Sequence, residues 1–223
     1  MLERGYTFDE STHSYARGGR TVPSVTRVLD HAGLVSYDMV RKEVLERKSL
    51  IGRRVHEATQ YYDQGDLDWT GFNPDNPYDV EIKGRTEAWA NFCKDIGFVP
   101  RVIEERYTAT IQGMTYGLTV DREGLIRDRE CIIDIKNAAT IEPWVAIQTA
   151  GYALGVPDPL GRGGTNRLLF IRRRRMAVQL FPDGSYKKYE FEDRGDAEVF
   201  IAALYLAQWK LSHGTELRPI EEE

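Results

Sequence analysis

The sequence is poor in cysteine and lacks long apolar runs. Cys93 and Cys131 are its two cysteines, too few for a disulfide scaffold, for the four thiolates of an iron–sulfur cluster or for a cysteine-rich zinc site. No apolar stretch approaches the roughly 18 residues that a membrane-spanning helix needs. The N-terminal residues, which include Asp9 and Glu10, resemble neither a secretory signal nor an acid-poor transit peptide. We therefore expect a cytoplasmic protein without a membrane partner.

The sequence also lacks repeats, low-complexity tracts and Gly/Ser linkers. Its 223 residues, of which 41% are hydrophobic and 29% charged, indicate one folded domain with a core. The net charge of −5 argues against a surface that attracts nucleic acid everywhere. It is compatible with a local basic track around an acidic centre.

The hydrophobic periodicity changes once along the chain. After short strands within the first 22 residues, helical spacing predicts helices at about 24–29, 37–48, 49–62 and 79–96, and later at 142–154 and 196–212. Alternating spacing predicts a hairpin of 101–111 and 114–124 around Gln112-Gly113, then strands at 130–138, 166–172 and 176–181. This pattern predicts an α/β sandwich: helices, then a mostly antiparallel sheet with one helix inserted, then a closing helix.

The hairpin brings two carboxylates together. A two-residue loop places Ile111 opposite Met114, and the same register places Glu104 opposite Asp121. Opposed carboxylates repel each other, a cost that a bound divalent cation would reverse. A longer loop would undo this pairing and leave Glu105 as the alternative to Glu104.

An acid and an amine interrupt the next apolar strand. Asp134 and Lys136 are two residues apart and therefore project from the same face of the strand. Burial of such charges is costly unless each has a partner. The alternatives are a functional pair and a partly buried ion pair at the end of the strand.

Other polar side chains lie on predicted helices. Gln148 and Tyr152 share one face of an otherwise apolar helix and need hydrogen-bond partners, although Tyr152 could also be a core residue. His56 follows Gly52 by one turn, and a lone helical histidine is more often structural than functional. Gln60 stands where a zincin motif requires its second histidine, which excludes that kind of zinc site.

Taken in order, these residues resemble the PD-(D/E)XK nuclease superfamily, specifically its RecB-type exonuclease branch. The matching motifs are Gly52…His56, Glu104, Gly117…Asp121 (one residue longer than usual), Asp134-Ile135-Lys136 and Gln148…Tyr152. They cover about residues 50–155. Upstream, residues 23–29 are similar to the Pro-Ser-Val-Thr segment of phage exonucleases and of the mitochondrial genome maintenance exonuclease.

The resemblance implies a set of site residues and a restriction-endonuclease-like core, in which helices flank a central mixed sheet and N-terminal strands and helices are added. It implies a single nuclease domain over 1–223: N-terminal strands and helices in 1–48, a catalytic core in 49–181, and a closing strand or turn with a C-terminal helix in 182–223. The implied cofactor is one or two Mg²⁺ or Mn²⁺ ions, with no iron–sulfur cluster. The implied metal ligands are His56, Glu104, Asp121, Asp134 and the carbonyl of Ile135. Lys136 would orient the attacking water or stabilise developing charge, Gln148 would hold the scissile phosphate or a water, and Tyr152 would brace the strand or the DNA.

The function that the resemblance implies is a metal-dependent DNA exonuclease. Its partner would be DNA, single-stranded or with free ends, in phage-type recombination, repair or DNA maintenance, together with a possible recombination partner protein. Two alternatives stay open. One is a restriction-like or resolvase-like endonuclease on the same core, and the other is a catalytically idle nucleic-acid-binding module.

Several residues are candidates for contact with DNA phosphates. The basic candidates are Arg53 and Arg54 on a helix and the run Arg172, Arg173, Arg174 and Arg175 between two predicted strands. The alternative for both sets is a solvated surface. Ser24 could contact a DNA end or simply cap the helix that follows it.

Overall fold

The structure is a computed structural model that describes residues 6–9, 14–35, 42–157 and 166–213. Within these ranges the strands are β1 Tyr6–Asp9, β2 Ser14–Arg17, β3 Arg20–Val22, β4 Phe98–Ile111, β5 Met114–Ile126, β6 Arg129–Lys136, β7 Arg174–Leu180 and β8 Tyr186–Glu190. The helices are α1 Val25–His31, α2 Lys42–Gln64, α3 Pro77–Ile96, α4 Trp144–Gly155, α5 Asn166–Arg172 and α6 Gly195–His213, with a 3₁₀ turn at Trp69–Gly71.

The long β4–β5 hairpin confirms the predicted register over most of its length. Ile111 pairs with Met114, and Tyr107 pairs with Leu118. Gln112 and Gly113, with φ of 50° and 81°, form the two-residue turn. Turns with positive φ at both central residues match the right-handed twist of the strands that they connect.

The five-stranded sheet has the order β4-β5-β6-β7-β8. β6 and β7 are parallel, whereas the other neighbouring strands are antiparallel, so the predicted mixed sheet is confirmed. A smaller sheet, β1-β2-β3, precedes it in the chain. The N–H of Gly117 donates to the carbonyl of Pro23 at 2.9 Å and thereby joins this N-terminal region to β5.

Helices cover both faces of the large sheet. α1, α4 and α6 enclose one core with Leu118, Ile132 and Phe200, while α2 and α3 enclose a second core with Trp89 and Ile133. Consecutive residues of a strand face opposite sides, so Ile132 and Ile133 enter different cores. The apolar run in β6 is therefore explained by burial on both faces, and the predicted α/β class is confirmed.

The helix ends agree with the sequence signals in two places. The Ser24 side chain accepts a hydrogen bond from the N–H of Arg27 at 3.3 Å and caps α1. Gly97, with φ of 69°, ends α3 in the left-handed conformation that glycine adopts at low cost. α2 is one continuous helix where two were predicted, and residues 37–41 of the first predicted helix lie outside the described residues.

The prediction of a strand at 166–172 is wrong, because this segment forms α5. Phe170 is buried in the core beside α4, whereas Leu168 and Ile171 are exposed. A short apolar run fits a strand or a buried helix equally well, and the packing against α4 decides between them.

Among the helices that the structure describes, none is long and apolar enough to cross a membrane.

Gly84 tests the packing of α3 against the loop before β8. A Cβ at this buried position would overlap the carbonyl oxygen of Pro182. We expect Gly84→Ala to lower the free energy of unfolding by about 1–3 kcal/mol, because the backbone must shift to admit the methyl group. Urea denaturation would measure the effect, with the exposed neighbour substitution Lys83→Ala as control. Equal stability of the two variants would contradict the close approach.

Candidate active site

Three elements bring an imidazole and two carboxylates together. His56 comes from α2, Glu104 from β4 and Asp121 from β5, and one potential ligand atom of each lies within 4.8 Å of the others. Nδ1 of His56 is 3.0 Å from Oε1 of Glu104 and 3.7 Å from Oδ1 of Asp121. The structure thus assembles three of the side chains that the sequence pattern singled out.

The backbone is irregular where these carboxylates meet. Glu105 pairs with Val120 and Ile103 pairs with Arg122, but Glu104 between them has φ of 50°, which is uncommon for a residue other than glycine. The apolar alternation of β5 also changes sides here, because Val120 lies in the first core while Arg122 contacts α2 and Trp89. The predicted regular face therefore ends at Asp121. Of the two candidate glutamates, Glu104 is the one beside His56.

The electrostatics of this cluster favour a positive charge between the carboxylates. Burial lowers the pKa of His56, but the charge of Asp121 and the hydrogen bond and charge of Glu104 outweigh it and raise this pKa to about 9. Burial raises the pKa of Asp121 to about 7, and the negative charges of Asp134 and Glu104 add to this effect. Without a metal, the cluster holds a proton where a cation would compensate the same charges.

A second group of polar side chains extends from β6 to α4. Nζ of Lys136 lies 2.8 Å from Oδ2 of Asp134 and donates to Oε1 of Gln148 at 3.0 Å. Nε2 of Gln148 donates to the hydroxyl of Tyr152 at 2.8 Å. The structure therefore brings together the second set of predicted site residues, and Asp134 and Lys136 form the close pair that both sequence interpretations required.

One hydrogen bond joins the two groups. The N–H of Ile135 donates to Oδ2 of Asp121 at 2.7 Å. The contact holds the Asp121 carboxylate against β6, on the strand that carries Asp134 and Lys136. The sequence analysis proposed the Ile135 carbonyl as a metal ligand, and that role stays a prediction.

The donor set fits a hard divalent cation. Mg²⁺ and Mn²⁺ prefer oxygen ligands, and Mn²⁺ also accepts imidazole nitrogen. Oδ2 of Asp134 is buried and lies 2.8 Å from the ammonium of Lys136, although this contact lacks hydrogen-bond geometry. His56, Glu104 and Asp121 are consequently suitable metal ligands, with Asp134 beside them.

Sequence reasoning missed Arg122, which is fully buried behind the cluster. Its guanidinium donates to Oδ2 of Asp63, to Oε1 of Glu104 at 2.8 Å and to Oγ1 of Thr59 at 3.0 Å. A charged residue directly after Asp121 within a buried strand was the available signal. Because the predicted register placed Arg122 on the apolar face with Val120, its partners on α2 could not be identified.

A cavity of about 570 Å³ opens beside the cluster. Its lining consists of Gly52, Arg53, His56, Glu57, Gln60, Glu104 and Arg106. Arg53 is therefore close enough to the cavity to contact a bound anion, and its DNA contact stays a prediction. Nη1 of Arg54 lies 3.6 Å from Oδ1 of Asp79, and Arg54 lines a different cavity.

The predicted phosphate track of four arginines is wrong for Arg173 and Arg175, which are 4% and 2% exposed. Arg173 donates to the carbonyls of Ala153 and Val156 at 3.0 and 2.7 Å, where α4 ends. These carbonyls have no partner within the helix, and the buried guanidinium satisfies them. The alternative of a solvated surface is also wrong for Arg173, because its side chain is buried.

The other three arginines of the run differ in their surroundings. Arg175 donates to the carbonyl of Ala146 and to Oδ2 of Asp196, both at 2.8 Å, and so connects α4 to α6. Arg174 makes two hydrogen bonds, of 2.5 and 2.8 Å, to the carboxylate of Glu190 on β8. Arg172 is exposed and Arg174 is partly exposed, and a phosphate contact stays a prediction for these two residues. For Ser24 the helix cap is confirmed, while contact with a DNA end stays a prediction.

The solved structures to which this chain is similar include SSO0001 and an alkaline exonuclease. The crystal structure of SSO0001 has 15% sequence identity and a TM-score of 0.35, over 75% of this chain and 73% of that chain. The alkaline exonuclease LHK-Exo from Laribacter hongkongensis has 17% identity and a TM-score of 0.37, over 86% of this chain and 88% of that chain. No protein-family model and no curated protein matches the sequence.

Arg122 provides a stability test of the cluster. We expect Arg122→Met to lower the free energy of unfolding by about 3–5 kcal/mol, because Asp63 is left as a buried charge without its cation. The second change Asp63→Asn, which keeps an acceptor for the indole N–H of Trp89, should restore part of the loss. Chemical denaturation in EDTA would measure both variants, with the exposed Arg101→Met as control. If the double variant loses as much free energy of unfolding as the two single variants together, the buried pair would be contradicted.

Proposed function

We propose that this chain is a divalent-metal-dependent nuclease that hydrolyses phosphodiester bonds in DNA. The observation that carries the proposal is the convergence of His56, Glu104 and Asp121 directly beside the Asp134–Lys136 pair. Carboxylates that can hold a divalent cation, next to a positioned ammonium, are the groups that phosphodiester hydrolysis needs. We further propose, from the sequence resemblance, that the activity is exonucleolytic and acts on free ends or single strands.

The metal would be held by Asp121, His56 and Glu104, with Asp134 adjacent to them. A bound Mg²⁺ or Mn²⁺ would neutralise charge on the phosphate and promote formation of the nucleophile from water. The cavity next to His56 is the space in which a phosphodiester could lie, and Arg53 on its lining could contact the neighbouring phosphate.

Lys136 is the residue that we expect to act on the reacting groups. Its ammonium is held between Asp134 and Gln148 and can donate to the attacking water or to a phosphate oxygen that gains charge. Tyr152 fixes the orientation of Gln148: because the amide Nε2 donates to the phenol, the amide oxygen faces Lys136. Tyr152 and Gln148 thus act as positioning residues for the ammonium in this proposal.

Removal of the ammonium should abolish cleavage without unfolding the protein. We expect Lys136→Ala to cut end-labelled linear DNA at least about 10²-fold more slowly than the wild type in Mg²⁺ or Mn²⁺, because one donor to the transition state is lost. Lys83→Ala is the matched control, because it removes an exposed ammonium on α3 that belongs to neither group of site residues. Single-stranded and double-stranded linear DNA and closed circles would be compared, with EDTA as the metal-free reference.

The result separates three functions. Metal-dependent shortening of linear DNA with circles spared supports the exonuclease. Cleavage of closed circles would instead identify an endonuclease. Absence of cleavage on every substrate, or full activity of Lys136→Ala, would refute the proposed catalytic role and favour a nucleic-acid-binding module.

The carboxylate cluster can be tested by metal binding alone. We expect Asp121→Asn to weaken Mn²⁺ binding by at least about tenfold, since loss of an outer contact to a ligand already has an effect of this size. Asp79→Asn is a suitable control, because Asp79 is also a buried carboxylate but lies outside the cluster. Calorimetric titration of the two variants would decide, and equal Mn²⁺ affinity would exclude Asp121 as a ligand.

A further inference from the structure

A second cavity of about 570 Å³ lies near the turn of the β4–β5 hairpin, away from the candidate active site. Gly113 and Thr115 line it on the hairpin side, and β2, β3, α1 and the end of α6 contribute the rest of its lining. Asp121 follows Thr115 by six positions along the extended strand β5, which corresponds to about 20 Å. The cavity is therefore distinct from the cluster of His56, Glu104 and Asp121.

The cavity is basic, although the whole chain carries a net charge of −5. Arg17, Arg20 and Arg27 line it together with His31, and the described residues of its lining include no aspartate or glutamate. Arg17 donates to Oγ1 of Thr110 at 2.9 Å. Within the described part of the chain, none of the three arginines forms an ion pair with a carboxylate. Their positive charge is thus available to an anion.

Two of these arginines are placed against each other. Arg17 and Arg20 are directly opposed across the tight β2–β3 turn, which Gly18 and Gly19 form with φ of 57° and 75°. Like charges in directly opposed positions destabilise a hairpin. A bound anion between the two guanidiniums would remove this repulsion, so the arrangement points to a ligand.

Two exposed aromatic side chains lie on the helix that lines one side of the cavity. Tyr205 and Trp209 on α6 are 51% and 55% exposed, and they precede the lining residues Gln208 and Ser212 by three positions each. Residues three apart are neighbours on a helix surface. Exposed cations next to exposed aromatic rings suit a nucleic-acid strand, in which phosphates alternate with bases that can stack, better than they suit an isolated small anion.

We propose that this cavity binds the backbone phosphates of a nucleic-acid strand, as a contact site separate from the candidate active site. The choice of nucleic acid as ligand rests on the proposed function, but binding at this site does not depend on catalysis. Because Arg17, Arg20 and Arg27 would contact phosphates, their contacts carry no information about base sequence and the binding is sensitive to salt. A strand that reaches both sites spans about 20 Å, which fits the 4–16 nucleotides that single-strand binding sites cover.

The test is the salt dependence of binding to a fluorescent oligothymidylate of 20 nucleotides in EDTA, where cleavage is blocked. Each single-strand phosphate that is neutralised contributes about 0.7 to the slope of log K against log salt. The triple variant Arg17→Gln, Arg20→Gln and Arg27→Gln should therefore reduce the magnitude of that slope by about 2. A charge-matched control is Lys83→Gln, Arg101→Gln and Lys188→Gln, three exposed positions that do not line the cavity.

Stacking provides an independent readout. Trp209→Ala should weaken binding of the oligonucleotide by roughly tenfold but leave the salt slope unchanged, because stacking releases no counterions. Inorganic phosphate at millimolar concentration serves as the small-anion probe. Unchanged affinity of Trp209→Ala together with displacement of the oligonucleotide by phosphate would overturn the assignment to nucleic acid.

Failure of this inference and failure of the proposed nuclease give different results. Equal slopes for the triple variant and its control would overturn the contact site, whether or not the wild type cleaves DNA in Mg²⁺. A reduced slope in a protein that cleaves nothing would support the contact site and refute only the catalytic proposal.

Discussion

The buried guanidinium of Arg122 is the contact on which the arrangement of the candidate site depends. It joins α2 to the sheet, since Asp63 and Thr59 belong to the helix and Glu104 belongs to β4. A buried arginine is tolerated only when its donors are satisfied, and here three side chains satisfy them. Because His56 lies on the same helix, the pairing of Arg122 with Asp63 also sets where the imidazole meets the carboxylates.

The site consists of two groups whose charges are compensated in different ways. On the side of α2, a proton on His56 compensates Glu104 and Asp121, and this explains why the pKa of His56 is raised to about 9. On the side of α4, the ammonium of Lys136 compensates Asp134, and Gln148 and Tyr152 orient it. In the proposed function a metal ion would take the place of the proton, whereas the ammonium would stay and donate to the attacking water or to a phosphate oxygen. The hydrogen bond from the N–H of Ile135 to Asp121 holds the two groups next to each other.

The interpretation of basic residues shows where a sequence pattern is ambiguous. The consecutive arginines 172–175 have the composition of a phosphate track, yet Arg173 and Arg175 are buried and satisfy carbonyls of α4. Arg17, Arg20 and Arg27 are spaced along the chain and form no run, but the fold collects them around one cavity. Alternation along a strand sends neighbouring side chains to opposite faces, so a run of like residues does not define a surface.

The sequence alone determined the features that depend on local spacing. The register of the hairpin followed from the two-residue turn at Gln112 and Gly113, the ends of α1 and α3 from Ser24 and Gly97, and the inward face of α4 from the four-residue spacing of Gln148 and Tyr152. Tertiary structure decided the rest. The helical state of 166–172, the change of face at Asp121 and the partners of Arg122 all arise from contacts between elements far apart in sequence. Such contacts follow from how helices and sheet pack, and no spacing within one element encodes them.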